Sequence, residues 1–105
     1  MDLSQSDWSQ KLSETENAIL LDVRTEDECS EGIIPNALQI DIYKGQGFID
    51  EVEILDKTKT FFVYCRSGGR SAQACAVMNQ LGFENTYNLE GGFTNWKGDV
   101  VDPEM

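Results

Sequence analysis

The chain has 105 residues, a net charge of −11 and no histidine. Its acidity argues against nucleic acid and anionic membrane surfaces as partners. Without histidine, the Cys-His pairing of cysteine proteases is excluded and the commonest metal ligand is missing, so we expect neither a metal nor another cofactor. The length fits one domain that spans residues 1–105.

The composition also bears on where the protein works. No stretch approaches the roughly 20 apolar residues that span a membrane, and the first residues lack the basic and apolar regions of a signal peptide. The three cysteines, Cys29, Cys65 and Cys75, have no metal-ligand spacing such as C-x-x-C. We therefore expect a cytoplasmic, monomeric protein with reduced thiols.

The first half of the chain alternates patterns typical of helices and strands. Ser4-Gln5-Ser6-Asp7 resembles a capping box that opens a helix ending near Glu14. The continuous apolar run over 18–23 is typical of a strand in a parallel sheet that is covered on both faces. Thr25 suits the N-cap of a short acidic helix over 26–29, and a second strand is predicted over 37–40.

The second half continues this alternation. Helical spacing of apolar residues covers 48–55, and a β-prone apolar run follows at 61–64. Helix formers fill 71–81 and end at Gly82. The remaining predicted segments are a strand over 86–89, a helical turn over 93–97 and a flexible polar tail over 99–105. Because strands alternate with helices, the sequence predicts an α/β domain with a mainly parallel sheet.

The loop after the strand over 61–64 carries the residues best suited to chemistry. Cys65 ends this strand, and Arg66-Ser67-Gly68-Gly69-Arg70 follows before Ser71 opens the next helix. The two glycines let successive backbone N–H groups turn inward, and the helix N-terminus adds its positive dipole end. Together with the two arginines, these groups favour a thiolate at Cys65. We therefore interpret Cys65 as a reactive cysteine rather than a structural one.

Two carboxylates are expected beside this loop. Asp22 and Glu90 end predicted strands, as Cys65 does, and ligands of parallel sheets bind beyond the carboxyl ends of the strands. Asp22 is predicted either to accept hydrogen bonds from backbone N–H groups of the cysteine loop or to be a solvated strand end. Arg24 is expected to form a structural ion pair with a nearby acid, Glu28 or Glu90.

Two aromatic residues follow the sharp turn predicted at Glu90-Gly91-Gly92. Phe93 and Trp96 either wall the pocket beside the cysteine loop or pack in the core. The other two cysteines are interpreted as unreactive. Cys75 is expected on the inner face of its helix, and the acids around Cys29 should oppose its ionisation.

Four blocks of the sequence resemble the rhodanese family. In the family's order and at similar spacing they read Leu21-Asp22-Val23-Arg24, Gly32-Ile33-Ile34-Pro35-Asn36-Ala37, Cys65-Arg66-Ser67-Gly68-Gly69-Arg70-Ser71-Ala72 and Asn88-Leu89-Glu90-Gly91-Gly92-Phe93, followed by Trp96. The resemblance runs from the first helix to Lys97. It implies a five-stranded, mainly parallel sheet flanked by helices on both faces, and a Cys65 that accepts a sulfane sulfur and becomes a persulfide.

The chain departs from this family pattern at two positions. Ile33 stands where family members commonly have histidine, and Asn36 stands where they have glycine. Because the sulfur step needs no imidazole, we interpret that histidine as structural. Asn36 tolerates the positive backbone dihedral that a glycine would supply.

The resemblance implies a sulfurtransferase that takes sulfur from a small anionic donor such as thiosulfate. The acceptor would be cyanide or a thiol, including a protein thiol such as that of a thioredoxin. One alternative is a cysteine phosphatase or arsenate reductase, although only four residues separate Cys65 from Arg70 and cysteine phosphatases have five at this place. The other is a non-enzymatic persulfide carrier or redox interaction module whose acidic surface docks a partner.

Overall fold

The computed structural model describes residues 1–103, which form four α-helices around one five-stranded sheet. The strands are β1 (Asp2–Leu3), β2 (Ala18–Asp22), β3 (Leu38–Gln39), β4 (Thr60–Tyr64) and β5 (Asn85–Leu89). The helices are α1 (Gln5–Glu14), α2 (Glu26–Cys29), α3 (Gln46–Glu53) and α4 (Gly69–Gln80), and 3-10 turns cover Ile42–Lys44 and Phe93–Asn95. Residues 104 and 105, the end of the predicted tail, lie outside the described residues.

Every pairing of neighbouring strands in this sheet is parallel. The order is β1-β5-β4-β2-β3, so β4 lies at the centre with β5 and β2 on either side. The apolar runs of β2 and β4 thus occupy positions that are covered on both faces, as their composition predicts. The expected α/β fold with a parallel five-stranded sheet is confirmed.

Alternate residues of β4 divide the core between the two faces of the sheet. Phe61 and Val63 belong to a cluster with buried residues of α3 and α4. Phe62 and Tyr64 face the other way and pack against Trp8 of α1, whose ring meets that of Phe62 edge-on at 5.8 Å. The helices therefore cover both faces of the sheet. They fix the position of Cys65, the residue that follows Tyr64.

The local signals for helix starts are accurate in two places. The Ser4 side chain accepts a hydrogen bond from the backbone N–H of Asp7 at the start of α1. Thr25 and Glu28 form a reciprocal capping box at the start of α2. Capping depends on residues three apart in the chain, and for this reason it can be predicted without knowledge of the tertiary fold.

Other boundaries differ from the prediction. Strand β1 is not predicted, because it has two residues and is held at the sheet edge by backbone bonds to Asn88 and Glu90. Helix α4 begins at Gly69, two residues earlier than expected, since Gly68 takes a left-handed conformation (φ 105°) and serves as the N-cap. Helix α3 covers 46–53 rather than 48–55, and Ile54 beyond it is exposed.

The segment after residue 98 is joined to the body of the domain by a short antiparallel bridge. Val101 and Ile33 exchange two backbone hydrogen bonds of 2.8 and 2.9 Å in an antiparallel bridge. The flexibility predicted for this tail stays a prediction. Among residues 1–103, none of the helices combines the length and the apolar character of a membrane-spanning segment.

Candidate active site

The carboxyl ends of β2, β4 and β5 lie side by side at one rim of the sheet. Cys65 follows the central strand directly and is buried, with 1% of its surface exposed. The loop of residues 65–71, named here the cysteine loop, turns from β4 into the first residues of α4. This geometry places the sulfur beside the N-terminus of a 12-residue helix.

Two groups of the cysteine loop point at the sulfur. The backbone N–H of Gly68 donates to Cys65 Sγ at 3.1 Å, and the Ser71 hydroxyl lies 3.3 Å from the same atom. Gly68 can turn its N–H inward because its backbone is left-handed, which only glycine adopts without strain. The loop therefore presents hydrogen-bond donors to the sulfur.

These donors lower the pKa of Cys65. Burial by itself would raise the pKa of the thiol, but hydrogen bonds from Ser71 and from the backbone N–H groups of Gly68 and Ser67 outweigh it. The sequence attributes part of this effect to the two arginines. The structure assigns it chiefly to the loop's own donors instead, since a carboxylate already engages both arginines.

That carboxylate belongs to Glu28 of α2. Arg70 donates to both of its oxygens, at 2.7 and 2.8 Å, and Arg66 Nε lies 3.5 Å from one of them. Hydrogen bonds from Arg70 lower the pKa of Glu28 to about 2. Arg70 thus ties the start of α4 to α2. Arg66 keeps 66% of its side chain exposed.

The cysteine loop is also fixed from the side of β5. The backbone N–H of Phe93 donates to the Cys65 carbonyl at 2.8 Å, and that of Thr94 donates to the Arg66 carbonyl at 2.9 Å. Gly92 lies so close that a Cβ atom there would come within 2.5 Å of the Arg66 oxygen. Gly92, predicted only as part of a turn, is therefore the residue that lets the two segments meet.

The comparisons with known proteins agree with this architecture. The rhodanese-like domain family matches residues 5–99. The chain belongs to this family. A protein named sulfurtransferase from Allochromatium vinosum is 38% identical over 106 residues, which cover 98% of this chain and 96% of that protein. A thiosulfate sulfurtransferase from Coxiella burnetii is 33% identical over 87 residues, 83% of this chain and 78% of that protein.

Solved structures show the same fold. A rhodanese-like domain protein from Staphylococcus aureus superposes with a TM-score of 0.81 at 27% identity, covering 95% of both chains. A 33% identical relative, a tRNA uridine(34) hydroxylase of Legionella pneumophila, is longer, and this chain spans 41% of it. Rhodanese-like domains therefore occur in relatives with different names, so the family alone does not define the reaction.

The two positions at which this chain departs from the rhodanese pattern have structural roles here. Ile33 is buried with 8% of its surface exposed, and its backbone pairs with Val101. Asn36 has a φ of 71°, the positive value expected for a residue that replaces glycine. Neither Ile33 nor Asn36 belongs to the cysteine loop.

Asp22 and Arg24 do not have the partners expected from the sequence. Asp22 is neither solvated nor bonded to the cysteine loop, because it is completely buried and binds Arg24 at 2.7 Å. Arg24 pairs with this aspartate rather than with Glu28 or Glu90, and its guanidinium also donates to the Gly32 carbonyl. The pair anchors the chain after β2.

Glu90 and Trp96 also lie apart from the sulfur. Glu90 is exposed, and Trp96 packs edge-on against Trp8 at 5.6 Å. Both line a surface depression together with Gln5 and Asn95. Among residues 1–103, the cysteine loop contributes no side chain to this depression. Trp96 is thus a packing residue, and the structure brings neither residue into contact with Cys65.

Sequence reasoning missed Asn88 as a member of this site. Asn88 is buried in β5, and its side chain binds Ser71 and the carbonyl oxygen of Gly68, two residues of the cysteine loop. A polar residue between Tyr87 and Leu89 in a strand was the available signal. Such an amide must find partners in the core, and here these partners surround the cysteine.

Proposed function

We propose that the protein is a sulfurtransferase that forms a persulfide on Cys65. It takes a sulfane sulfur from thiosulfate or a related anion and gives it to cyanide or a thiol. The observation that carries the proposal is the buried Cys65 sulfur with inward-facing donors of its loop and a lowered pKa. The relative named thiosulfate sulfurtransferase supports the choice of donor.

The proposed first step needs only the groups around Cys65. Its thiolate attacks the outer sulfur of thiosulfate, the bond between the two thiosulfate sulfurs breaks, and sulfite leaves with the electron pair. No proton moves, so the reaction needs no histidine. The outer sulfur of the persulfide carries a negative charge that preorganised N–H groups of the loop stabilise, as an oxyanion hole does.

The second step regenerates the enzyme. A cyanide ion or an acceptor thiolate attacks the outer sulfur, the bond between the two persulfide sulfurs breaks, and Cys65 leaves as a thiolate. Two half-reactions with a covalent intermediate give ping-pong kinetics. A persulfide carrier would perform the first half-reaction and deliver sulfur to one partner protein, so repeated turnover with a small acceptor distinguishes the enzyme from a carrier.

The ion pair of Arg70 and its spacing from Cys65 argue against a phosphatase. Glu28 occupies this guanidinium in a bidentate pair, and four residues rather than five lie between Cys65 and Arg70. A tetrahedral phosphate would then be misaligned for in-line attack, and small misplacements cost large factors in rate.

We expect thiosulfate:cyanide sulfurtransferase activity and negligible phosphatase activity from one preparation. Hydrolysis of an aryl phosphate that depends on Cys65, without sulfur transfer, would favour the phosphatase alternative.

Arg66 is the residue we expect to meet the anionic donor. Its ion pair with Glu28 is long and exposed, so it contributes little to stability and leaves the guanidinium able to turn. Arg66→Ala should raise the KM for thiosulfate about tenfold, the effect of losing one interaction with a charged partner. Thermal stability should change little.

The matched control for Arg66→Ala is Lys44→Ala. Lys44 has a similarly exposed charge, 58% of the side chain, and a long ion pair with Glu51. The Lys44→Ala substitution should leave the KM for thiosulfate almost unchanged. Added salt should raise the KM of the unmodified protein more than that of Arg66→Ala. Equal KM values for Arg66→Ala and the unmodified protein would remove Arg66 from the site.

A further inference from the structure

Asn88 lies directly behind the residues that surround Cys65. It sits near the carboxyl end of β5, beside Val63 of β4, and is 3% exposed. Its Nδ2 donates to the Asp2 carboxylate at 3.0 Å and to the Gly68 carbonyl at 3.2 Å. Because both partners are acceptors, they fix the orientation of the amide and direct its Oδ1 at Ser71.

The Ser71 hydroxyl has one proton and three acceptors within reach. Its Oγ lies 2.5 Å from Asn88 Oδ1, 3.3 Å from Cys65 Sγ and 3.3 Å from the Gly68 carbonyl. An amide oxygen carries no proton, so the contact between Ser71 and Asn88 requires the hydroxyl proton to lie between them. The sulfur therefore receives less from this hydroxyl than an unshared serine would give.

We propose that Asn88 is a positioning residue that competes with the Cys65 thiolate for the hydroxyl proton of Ser71. The competition limits how strongly Ser71 stabilises the thiolate, and it preserves the nucleophilicity of the sulfur. A thiolate that is held more strongly has a lower pKa and is a weaker nucleophile. Asn88 thus tunes the sulfur without touching it.

During sulfur transfer, the same competition keeps Ser71 hydrogen-bonded. This part of the inference rests on the proposed function. When sulfur is transferred, the negative charge moves from Cys65 Sγ to the outer sulfur of the persulfide. The Ser71 hydroxyl then donates its full hydrogen bond to Asn88 Oδ1, so Ser71 keeps a hydrogen bond as the charge leaves. Ser71 retains its proton throughout and forms no covalent bond.

Replacing Asn88 by an uncharged residue leaves the charges around Cys65 in place. Arg70 acts on Cys65 from the loop side, where Glu28 binds it with Arg66 beside them. Asp2 lies on the far side of Asn88. A changed pKa in such a variant therefore reports the hydrogen bonds of the sulfur.

The test is the pKa of Cys65, obtained from its rate of alkylation by iodoacetamide against pH, with peptide mapping to follow this cysteine alone. Asn88→Leu should lower the pKa by about 0.5 to 1, because the thiolate gains a larger share of one hydrogen bond. At a pH where Cys65 is fully ionised, alkylation should slow by about two- to threefold. In the double variant Ser71→Ala/Asn88→Leu, the pKa should equal that of Ser71→Ala.

Thr86→Val is the matched control. Thr86 lies two residues earlier on the same face of β5, and its hydroxyl donates to Asn79 of α4 at 2.9 Å. The change removes a similar bond between β5 and α4 and should leave the pKa of Cys65 unchanged.

An unchanged or raised pKa in folded Asn88→Leu, or the same shift in Thr86→Val, would overturn the proposal. Circular dichroism verifies the fold of each variant. If Asn88→Leu does not fold, Asn88→Ser withdraws the amide oxygen from Ser71 and is expected to shift the pKa in the same direction. Alkylation needs no sulfur donor, so these readouts stay decisive even if sulfur transfer is absent.

Discussion

Cys65→Ser is expected to abolish sulfur transfer, whereas Cys29→Ser and Cys75→Ser retain most of it. The three thiols are all buried, but their surroundings differ. Burial, together with the Asp22 carboxylate, raises the pKa of Cys29 to about 12, and burial raises that of Cys75 to about 11. The donors of the cysteine loop lower the pKa of Cys65 instead. Of the three thiols, Cys65 therefore ionises most readily.

The measurement is the rate of thiocyanate formation from thiosulfate and cyanide for the three variants. Serine keeps the shape of the side chain but presents a hydroxyl that does not ionise near neutral pH, so Cys65→Ser should show no rate above the uncatalysed reaction. The other two variants act as controls for the loss of a buried thiol. Activity in Cys65→Ser comparable to that of the unmodified protein would contradict the assignment of the nucleophile.

The largest loss of stability is expected from Asp22→Ala. Asp22 and Arg24 form a buried ion pair in which both side chains are at most 4% exposed, and the Arg24 guanidinium lies 4.2 Å from the centre of the Phe93 ring. Removing the carboxylate leaves a buried cation without its partner, which costs about 3 to 5 kcal/mol in the free energy of unfolding. Domains of this size are stable by only about 5 to 15 kcal/mol, so the variant should unfold readily.

Urea denaturation of Asp22→Ala measures this loss, and Glu90→Ala is its control. Both acids follow the apolar part of a strand at the same rim, but Glu90 is exposed and should lose less than about 0.5 kcal/mol. The double variant Asp22→Leu/Arg24→Met should be more stable than Asp22→Ala, because it removes both buried charges. A loss below about 1 kcal/mol in Asp22→Ala would show that the pair is unimportant.

The fold can be predicted from the sequence wherever the signal is local. The apolar runs of β2 and β4 indicate central parallel strands, and the caps at Ser4 and Thr25 mark helix starts. Strand β1 could not be predicted because its two residues pair through backbone groups at the sheet edge. Its position depends on β5, which is more than 80 residues away in the chain.

The candidate site also has parts that local sequence predicts and parts that depend on the tertiary fold. The cysteine loop is predictable because a strand, two glycines and a helix start are contiguous in sequence. The partner of Arg24 is not, since Asp22, Glu28 and Glu90 are all acids and only the packing after β2 selects among them. Asn88 joins the site through a side chain whose partners, Ser71, Gly68 and Asp2, are 17, 20 and 86 residues away in the chain. Such contacts arise from the tertiary fold, and residue spacing alone does not reveal them.

Peptide mapping by mass spectrometry after treatment with thiosulfate tests the central proposal most directly. The protein is incubated with thiosulfate, freed of excess donor, alkylated and digested without reductant. We expect one added sulfur atom per chain, located on the peptide that contains Cys65, and its loss on addition of cyanide. Added sulfur on the Cys29 or Cys75 peptide, or no added sulfur on a folded protein with a reduced Cys65, would contradict the proposal.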